Sequence, residues 1–430
     1  MKYLYKIIFL FILLSLSVFY VSAQVSQKAL PRTMRAEYIQ SNMNKKIALP
    51  VFNMKTPSTD SIIAQINKEK SDCKDCRAGK TYGMGQTLNV DLLKVSTQEK
   101  TTEGIIYRYQ IKAEKAKGLQ IYFEEFKVPV GGELYVYNQD HSMTLGAFTN
   151  ANNTDGGNFV LQVIRGSSIT IEYFQPFSAP SNATHLKVKD VVYCYADIFG
   201  VERSGDGIFG TNPNVDISCL EDVQCYFDNA HSDWKNVSSS VGLLTSYNPG
   251  AQIASAIGTG TLMNNTAQNQ KPYFLTALHI HYASWALKSN DNTQFITYFN
   301  HQKEYCGQDP NSVQLTSSIY GASKITIYES GDMALLLLHE QPPMEYNLTY
   351  AGWENFDNVA KVTGPYKGIH HPGGSLKKIN TGSQLQESTF MDYAGTGTDS
   401  WYVIWETGNT QKGSSGSPLF NNNKQVIGFL

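Results

Sequence analysis

The sequence predicts an all-β protein, on the evidence of its composition and of several strand-like patterns. It contains 26 Tyr, 20 Phe and 34 Gly residues, and only 17% of its residues are charged. Aromatic side chains favour strands, and glycines favour the turns between them. Four segments of the first half alternate or run apolar between Gly, Asn and Asp: residues 119–123, 133–137, 159–164 and 168–174. Their spacing predicts an antiparallel β-sandwich.

The N-terminus has the pattern of a secretory signal. Two lysines precede an apolar stretch over residues 7–21, and the small residues Ser22 and Ala23 follow it. This arrangement is typical of a signal peptide over residues 1–23 that is cleaved after Ala23. No later apolar run approaches the ~18 residues that a transmembrane helix needs. We therefore expect a secreted, extracellular protein without a membrane span.

The rest of the chain divides by composition. Residues 24–80 form a polar leader with a short helix near residues 60–68, and the sandwich strands occupy residues 81–204. Gly, Asp, Asn and Pro cluster in a linker over residues 205–213, which leaves residues 214–430 as a further domain. The formal net charge is −2, without a dense cluster of Lys and Arg. This charge pattern predicts no nucleic-acid partner.

The last domain contains a serine in a setting suited to acyl transfer. Ser415 lies within the segment Gly413-Ser414-Ser415-Gly416-Ser417-Pro418. Glycines on both sides allow a tight turn that exposes the hydroxyl and directs backbone N–H groups to the space in front of it. A surface turn would have the same composition. The interpretation as a nucleophile therefore depends on a base and an acid elsewhere in the domain.

His279 and Asp332 supply this base and this acid. His279 ends an apolar, β-rich run over residues 273–279, and Asp332 precedes an apolar run over residues 333–338. A base must be held rigidly near the hydroxyl that it deprotonates. A carboxylate beside the imidazole sets its tautomer and stabilises the imidazolium. With Ser415, the chain order is His, Asp, Ser, as in chymotrypsin and unlike subtilisin or the α/β-hydrolases.

At these residues the domain resembles a known family. The segments Gly258 to Thr266, Lys271 to His279, Ile369-His370-His371-Pro372 and Gly413 to Phe420 are similar to motifs of the bacterial lysyl endopeptidases, which are chymotrypsin-fold serine proteases. The resemblance spans residues 214–430. It implies a double β-barrel with the cleft between the barrels. The sandwich resembles the propeptide domain ahead of such proteases, so we expect a zymogen with its own propeptide as a partner.

The resemblance implies a role for each site residue. His279 is the general base, Asp332 orients it, Ser415 is the nucleophile, and the N–H groups of Gly413 and Ser415 form the oxyanion hole. The substrates are proteins or peptides, and no metal or organic cofactor takes part. Many animal trypsin-like enzymes carry, at the position of Ser414, an aspartate that receives a new N-terminal ammonium. The serine therefore predicts that the oxyanion hole is ordered in another way.

The resemblance also favours cleavage after lysine. Trypsin-like enzymes often place the selecting acid six residues before the nucleophile, where this chain has Asn409. In lysyl endopeptidases the acid follows the nucleophile, beyond Leu430. Residues 424–430 have the pattern of a strand. Proteases of this family have a further strand and the wall of the specificity pocket after that point, so we expect the chain to be incomplete at its C-terminus. Two alternatives stay open: the same fold with another P1 preference, and a catalytically inactive module for adhesion or partner binding.

Six cysteines behind a signal peptide predict disulfides. The family pattern implies a bond between Cys225 and Cys306. The same family pattern would pair Cys219 with a cysteine near the C-terminus, but the sequence has no cysteine after Cys306. A further family disulfide is missing as a unit, because its two positions hold Gly258 and Ile280.

Two other groups allow a metal or a structural interpretation. Cys73 and Cys76 have redox or metal spacing but lack a second ligand pair, which favours a small local disulfide. Cys194 cannot be placed from the sequence. His279 and His281 would share one face of a strand, but the nearby sequence offers no third ligand. We therefore expect no metal.

Overall fold

The computed structural model describes residues 30–42, 47–72, 80–154, 156–180, 182–196, 198, 219–228, 231–283, 291–313, 317–355, 361–391 and 397–430. The predicted signal peptide, Cys73, Cys76 and the linker 205–213 lie outside the described residues.

The strands of the N-terminal part are, in chain order, β1 (Val51–Asn53), β2 (Lys80–Asp91), β3 (Thr97–Lys100), β4 (Gly104–Lys112), β5 (Gly118–Lys127), β6 (Glu133–Asn138), β7 (Thr144–Phe148), β8 (Phe159–Val160), β9 (Ile164–Arg165), β10 (Ser168–Pro176) and β11 (His185–Cys194). Three of the four predicted strands lie within β5, β6 and β10. The predicted strand 159–164 is instead two short strands, β8 and β9.

These strands form two facing sheets, as the sandwich prediction requires. One sheet has the order β1-β4-β10-β6-β7, with β3 beside β4, and the other contains β2, β11, β5, β8 and β9. Apolar side chains of both sheets, such as Phe123 on β5 and Ile171 on β10, are fully buried in one cluster. The alternation of apolar residues along each strand therefore fills a shared core.

The strands of the C-terminal part are β12 (Glu221–Asp222), β13 (Val241–Asn248), β14 (Ile253–Met263), β15 (Tyr273–Ala277), β16 (Asp291–Phe299), β17 (Ser317–Tyr328), β18 (Met333–Leu338), β19 (Tyr366–His370), β20 (Lys378–Met391), β21 (Gly397–Thr407), β22 (Pro418–Phe420) and β23 (Val426–Phe429). The first six after β12 have the order β13-β16-β17-β18-β15-β14, and β13 also pairs with β14, which closes a barrel. The second sheet has the order β12-β20-β19-β22-β23, with β21 beside β20. The chymotrypsin-like double-barrel prediction is confirmed.

Strand β2 connects the sandwich to the first barrel. It pairs with β11 on one side and with β14 on the other, so one sheet runs through both parts. Asp190 is buried at this junction and accepts hydrogen bonds from Thr87 (3.0 Å), Tyr247 (2.9 Å) and Gln252 (3.1 Å). The two parts therefore share backbone pairing and buried polar contacts, which the strand patterns alone did not indicate.

The helices are short: α1 (Ala36–Asn42), α2 (Thr59–Asp72), α3 (Leu92–Val95), α4 (Val223–Asp228), α5 (Lys235–Ser238) and α6 (Leu278–Ala283). The predicted helix near residues 60–68 lies within α2. Among the described helices, none combines the length and the apolar character needed to cross a bilayer. A disulfide joins Cys225 of α4 to Cys306, 81 residues later, as the family pattern implied.

Candidate active site

His279 and Asp332 form a close pair. The ring Nδ1 of His279 lies 2.5 Å from Asp332 Oδ2, and the backbone N–H of His279 donates to Asp332 Oδ1 at 2.7 Å. A carboxylate can only accept, so Nδ1 carries the proton of the neutral ring. Nε2 then keeps its lone pair, as a general base requires.

Two antiparallel strands bring this pair together. Ala277, the last residue of β15, lies opposite Met333, the first residue of β18. Beyond that point the N–H of Leu278 donates to the carbonyl of Asp332 at 2.7 Å. Asp332 has a φ of 49°, a left-handed conformation that is uncommon for a residue other than glycine. The strand ends two residues earlier than predicted, because the chain enters α6 before it reaches His279.

Ser415 lies on a tight turn between two glycines with left-handed backbone. Gly413 has a φ of 91° and Gly416 a φ of 80°. A Cβ atom at Gly416 would lie 2.2 Å from the carbonyl oxygen of Thr259 and 2.3 Å from Thr276 Oγ1. Both the backbone conformation and the close packing therefore require glycine at this position.

Thr259 of the first barrel holds this turn of the second barrel. Its N–H donates to the carbonyl of Ser415 at 2.8 Å, and its hydroxyl donates to the carbonyl of Gly413 at 2.8 Å. The neighbouring Gly258 lies against both sides of the site: a Cβ there would be 2.3 Å from Ile280 Cδ1 and 3.0 Å from the carbonyl oxygen of Ser415. The structure thus brings Ser415 and the residue after His279 against the same glycine. An apolar contact occupies the place of the missing family disulfide.

Three groups of the predicted site make no hydrogen bond within the described part of the chain, and Ser415 and His279 are not hydrogen-bonded to each other. Nε2 of His279 is buried and forms no hydrogen bond within the described part of the chain. The amides of Gly413 and Ser415 donate to no described backbone or side-chain acceptor. A base with a lone pair and two N–H donors are the groups that acyl transfer uses.

A buried polar chain lies directly behind the turn. Ser414 Oγ is 2.7 Å from His370 Nδ1, and His370 Nε2 is 3.0 Å from Asn380 Oδ1. All three side chains are fully buried. Burial lowers the pKa of His370 to about 4, so its ring is neutral at physiological pH.

A family model of the lysyl endopeptidase C-terminal domain matches residues 214–430. The chain belongs to the lysyl endopeptidase family. A curated lysyl endopeptidase of Pseudomonas aeruginosa PAO1 is 28% identical over 258 residues, which are 60% of this chain and 52% of that relative. The chain therefore spans about half the length of this curated relative.

The chain also has a distant similarity to solved protease structures, at low identity and low TM-score. The Rv3671c protease from M. tuberculosis in its active form is 17% identical with a TM-score of 0.31, over 49% of this chain and 76% of that one. The MamO protease domain from Magnetospirillum magneticum is 11% identical with a TM-score of 0.29, over 46% of this chain and 85% of that one. The strand order of the two barrels defines the fold independently of these likenesses.

The lysyl endopeptidase motifs pointed to residues that the fold gathers in one region: His279, Asp332, Gly413 and Ser415. Their catalytic roles stay a prediction. The motifs did not indicate the part played by Thr259, although it lies within the segment Gly258 to Thr266.

The sequence pattern predicts the possible pair of metal ligands, His279 and His281, on one face of a strand. His279 and His281 both belong to α6 (Leu278–Ala283) and not to a strand, so the strand geometry on which that interpretation depended is absent at these positions. Among the described residues, no group of three or more His, Cys, Asp or Glu could hold a metal ion.

A second set of buried basic groups belongs to the packing of this region. The rings of His301 and His371 stack at 5.6 Å, and Lys377 Nζ donates to the carbonyl of Ser238 at 2.8 Å. Burial lowers the pKa of His301 to about 3 and that of Lys377 to about 7. Burial therefore keeps the ring of His301 neutral at physiological pH.

Proposed function

We propose that this member of the lysyl endopeptidase family is a secreted serine endopeptidase that uses Ser415, His279 and Asp332. One observation carries the proposal: the two hydrogen bonds between His279 and Asp332 leave the lone pair of Nε2 free, while Ile280, the residue after His279, and the carbonyl of Ser415 lie against the same Gly258. A buried base without a partner is costly unless a ligand or a nucleophile uses it.

The geometry supports the following steps. Ser415 Oγ attacks the carbonyl carbon of the scissile bond while His279 Nε2 takes its proton, and the C=O electron pair moves to the oxygen. The amides of Gly413 and Ser415 donate to this oxyanion. The imidazolium then gives its proton to the leaving amine as the C–N bond breaks. Water hydrolyses the acyl-enzyme by the same sequence, and Asp332 remains ionised and stabilises the imidazolium.

The finer assignment is cleavage after lysine. It is supported by the family and by the name of the Pseudomonas relative. A P1 ammonium in a low-dielectric pocket needs a carboxylate partner. Asn409 is neutral and cannot be that partner, so the preference for lysine rests on the family resemblance, which puts the selecting acid after the nucleophile. A peptide-library profile should therefore be dominated by Lys at P1. A profile dominated by Glu or by large apolar residues would contradict this assignment.

The sandwich is assigned as the propeptide of this protease. The support is its edge-to-edge pairing with the first barrel, through Ile253 opposite Met84 and Ala254 opposite Gly83. An extended strand added to a sheet edge is a common way to dock one part of a protein on another. The propeptide and peptide substrates are accordingly its protein partners.

A fluorophosphonate probe tests the proposal, because it labels only an activated serine. The full-length protein, freed of its propeptide, should be labelled at Ser415, and Ser415→Ala should abolish both labelling and peptide cleavage, down to the residual roughly 10³–10⁴-fold over water that binding and the oxyanion hole provide. Ser417→Ala, a buried serine two residues away, is the matched control and should label like the wild type. A folded but unlabelled wild-type chain would favour the alternative of an inactive binding module.

A further inference from the structure

The proposed mechanism leaves unused the polar chain Ser414–His370–Asn380 behind the nucleophile. Its two hydrogen bonds measure 2.7 Å and 3.0 Å. Ser414, His370 and Asn380 each have 0% of their surface exposed. A substrate cannot reach Ser414, so this serine and histidine do not form a second catalytic pair.

The donors and acceptors of this chain run in one direction. Asn380 Oδ1 accepts, so His370 Nε2 carries the proton of the neutral ring. His370 Nδ1 must then accept the hydroxyl proton of Ser414. The Ser414 oxygen accepts in turn from the backbone N–H of Gln411 at 3.0 Å. The Ser414 hydroxyl thus donates its one proton to His370 and accepts from the backbone N–H of Gln411 in the loop.

This hydroxyl closes the loop that carries the two oxyanion donors. Ser414 lies between Gly413 and Ser415, and its own N–H donates to the carbonyl of Gln411 at 2.9 Å. Its carbonyl accepts from the N–H of Ser417 at 3.0 Å. A rotation of the backbone at Ser414 would reorient the N–H groups of both Gly413 and Ser415. The hydrogen bonds of the Ser414 hydroxyl therefore restrict the directions of both N–H groups.

We propose that His370 is a positioning residue that holds the amides of Gly413 and Ser415, through the Ser414 hydroxyl, in the orientation that binds an oxyanion. The inference rests on the proposed function. Where Ser414 stands, many animal trypsin-like enzymes have an aspartate that binds an N-terminal ammonium and so orders the oxyanion hole. Here the neutral imidazole of His370, on β19 of the same barrel, binds Ser414 instead.

Two measurements on the full-length protein, freed of its propeptide, test the inference. The first is amide hydrogen exchange of the peptides that cover residues 408–420. The second is the separate determination of kcat and KM on a peptide with lysine at the cleaved position. The variants are Ser414→Ala, His370→Leu and His370→Asn, because asparagine keeps an acceptor near the position of Nδ1 and leucine does not. Ser238→Ala is the matched control, since it deletes a fully buried hydroxyl with no hydrogen-bond partner among the described residues.

The positioning role predicts faster exchange in this segment for Ser414→Ala and His370→Leu, and unchanged exchange for Ser238→Ala. It predicts that kcat falls about 10- to 100-fold with KM nearly constant, a loss below the roughly 10²–10³-fold measured when an oxyanion donor is deleted outright. His370→Asn should lie between the wild type and His370→Leu.

Three results would overturn the inference: wild-type exchange in Ser414→Ala, a loss confined to KM, or His370→Asn no better than His370→Leu. If His370→Leu does not fold, Ser414→Ala decides. A wild-type chain that neither labels nor cleaves would contradict the proposed function, while the exchange comparison would still test how the loop is held.

Discussion

The backbone amide and the imidazole of His279 both bind the carboxylate of Asp332, at 2.7 Å and 2.5 Å. Because each carboxylate oxygen holds a different part of the same residue, the pair is fixed in orientation as well as in distance. The ring cannot rotate without losing its bond to Oδ2, and the helix α6 cannot shift without losing the bond to Oδ1.

Asp332→Asn should lower kcat by about 10⁴-fold, because a carboxamide favours the wrong imidazole tautomer and cannot stabilise the imidazolium. The remaining carboxamide oxygen still accepts from the His279 amide, so the melting temperature should change little. Steady-state kinetics and thermal unfolding measure both quantities. A kcat within tenfold of the wild type would contradict the role of Asp332.

Gly416→Ala should destabilise the protein more than Gly157→Ala. Both glycines have left-handed backbone, with φ of 80° and 68°, but a Cβ has no neighbour within 4 Å at Gly157 and meets Thr259 at 2.2 Å at Gly416. The backbone strain is about 1–2 kcal/mol at either site. Overpacking adds about 1–3 kcal/mol at Gly416 alone. Urea unfolding of both variants gives the difference, and equal losses would show that the close packing at Gly416 relaxes freely.

Removal of the Cys225–Cys306 disulfide, by serine at both positions, should lower the free energy of unfolding by about 4 kcal/mol in the chain-entropy description. The loop between the two residues is long, with a sequence separation of 81, so the cross-link restricts the unfolded chain strongly. Guanidinium unfolding of the double variant measures this loss. Non-reducing peptide mapping checks the pairing, and a Cys219–Cys225 linkage would contradict it.

Stability should depend on pH through Glu340, which lies where the sandwich meets the first barrel. Its Oε1 accepts from Asn152 at 3.2 Å, and its Oε2 is buried without a partner in the described structure. Burial raises the pKa of Glu340 from 4.5 to about 8. Between these values the folded protein binds more protons than the unfolded chain, so the free energy of unfolding falls as pH rises, and the full cost is present above pH ~8.

Glu340→Gln removes this titration and should be more stable than the wild type at pH 9, by an amount on the order of a few kcal/mol, and similar to it at pH 4. The other ionisable groups are common to both proteins, so their contributions cancel in the comparison. Glu345→Gln, at an exposed site, is the control and should follow the wild type. Parallel pH profiles for the wild type and Glu340→Gln would rule out the assigned cause.

The sequence by itself determined the all-β class, most sandwich strands and the helix near residues 60–68, whereas the Cys225–Cys306 pairing came from the family resemblance. It also singled out Ser415, His279 and Asp332 as one set. These features are written in local patterns: alternation shows which face of a strand is buried, and glycines at both sides of a serine mark a turn.

Only the tertiary structure decided which elements meet. Thr259 holds a carbonyl 154 positions away, at Gly413, and His370 anchors Ser414 across 44 positions. Likewise, nothing in β2 indicates that it pairs with a barrel strand as well as with its own sandwich. The periodicity of a sequence indicates which side chains are buried and which segments are strands. Which strand or side chain each of them contacts depends on the order of the strands in the sheets. The hydrogen bonds that hold the turn of Ser415 therefore depend on the contact between the two barrels, which the sequence does not show.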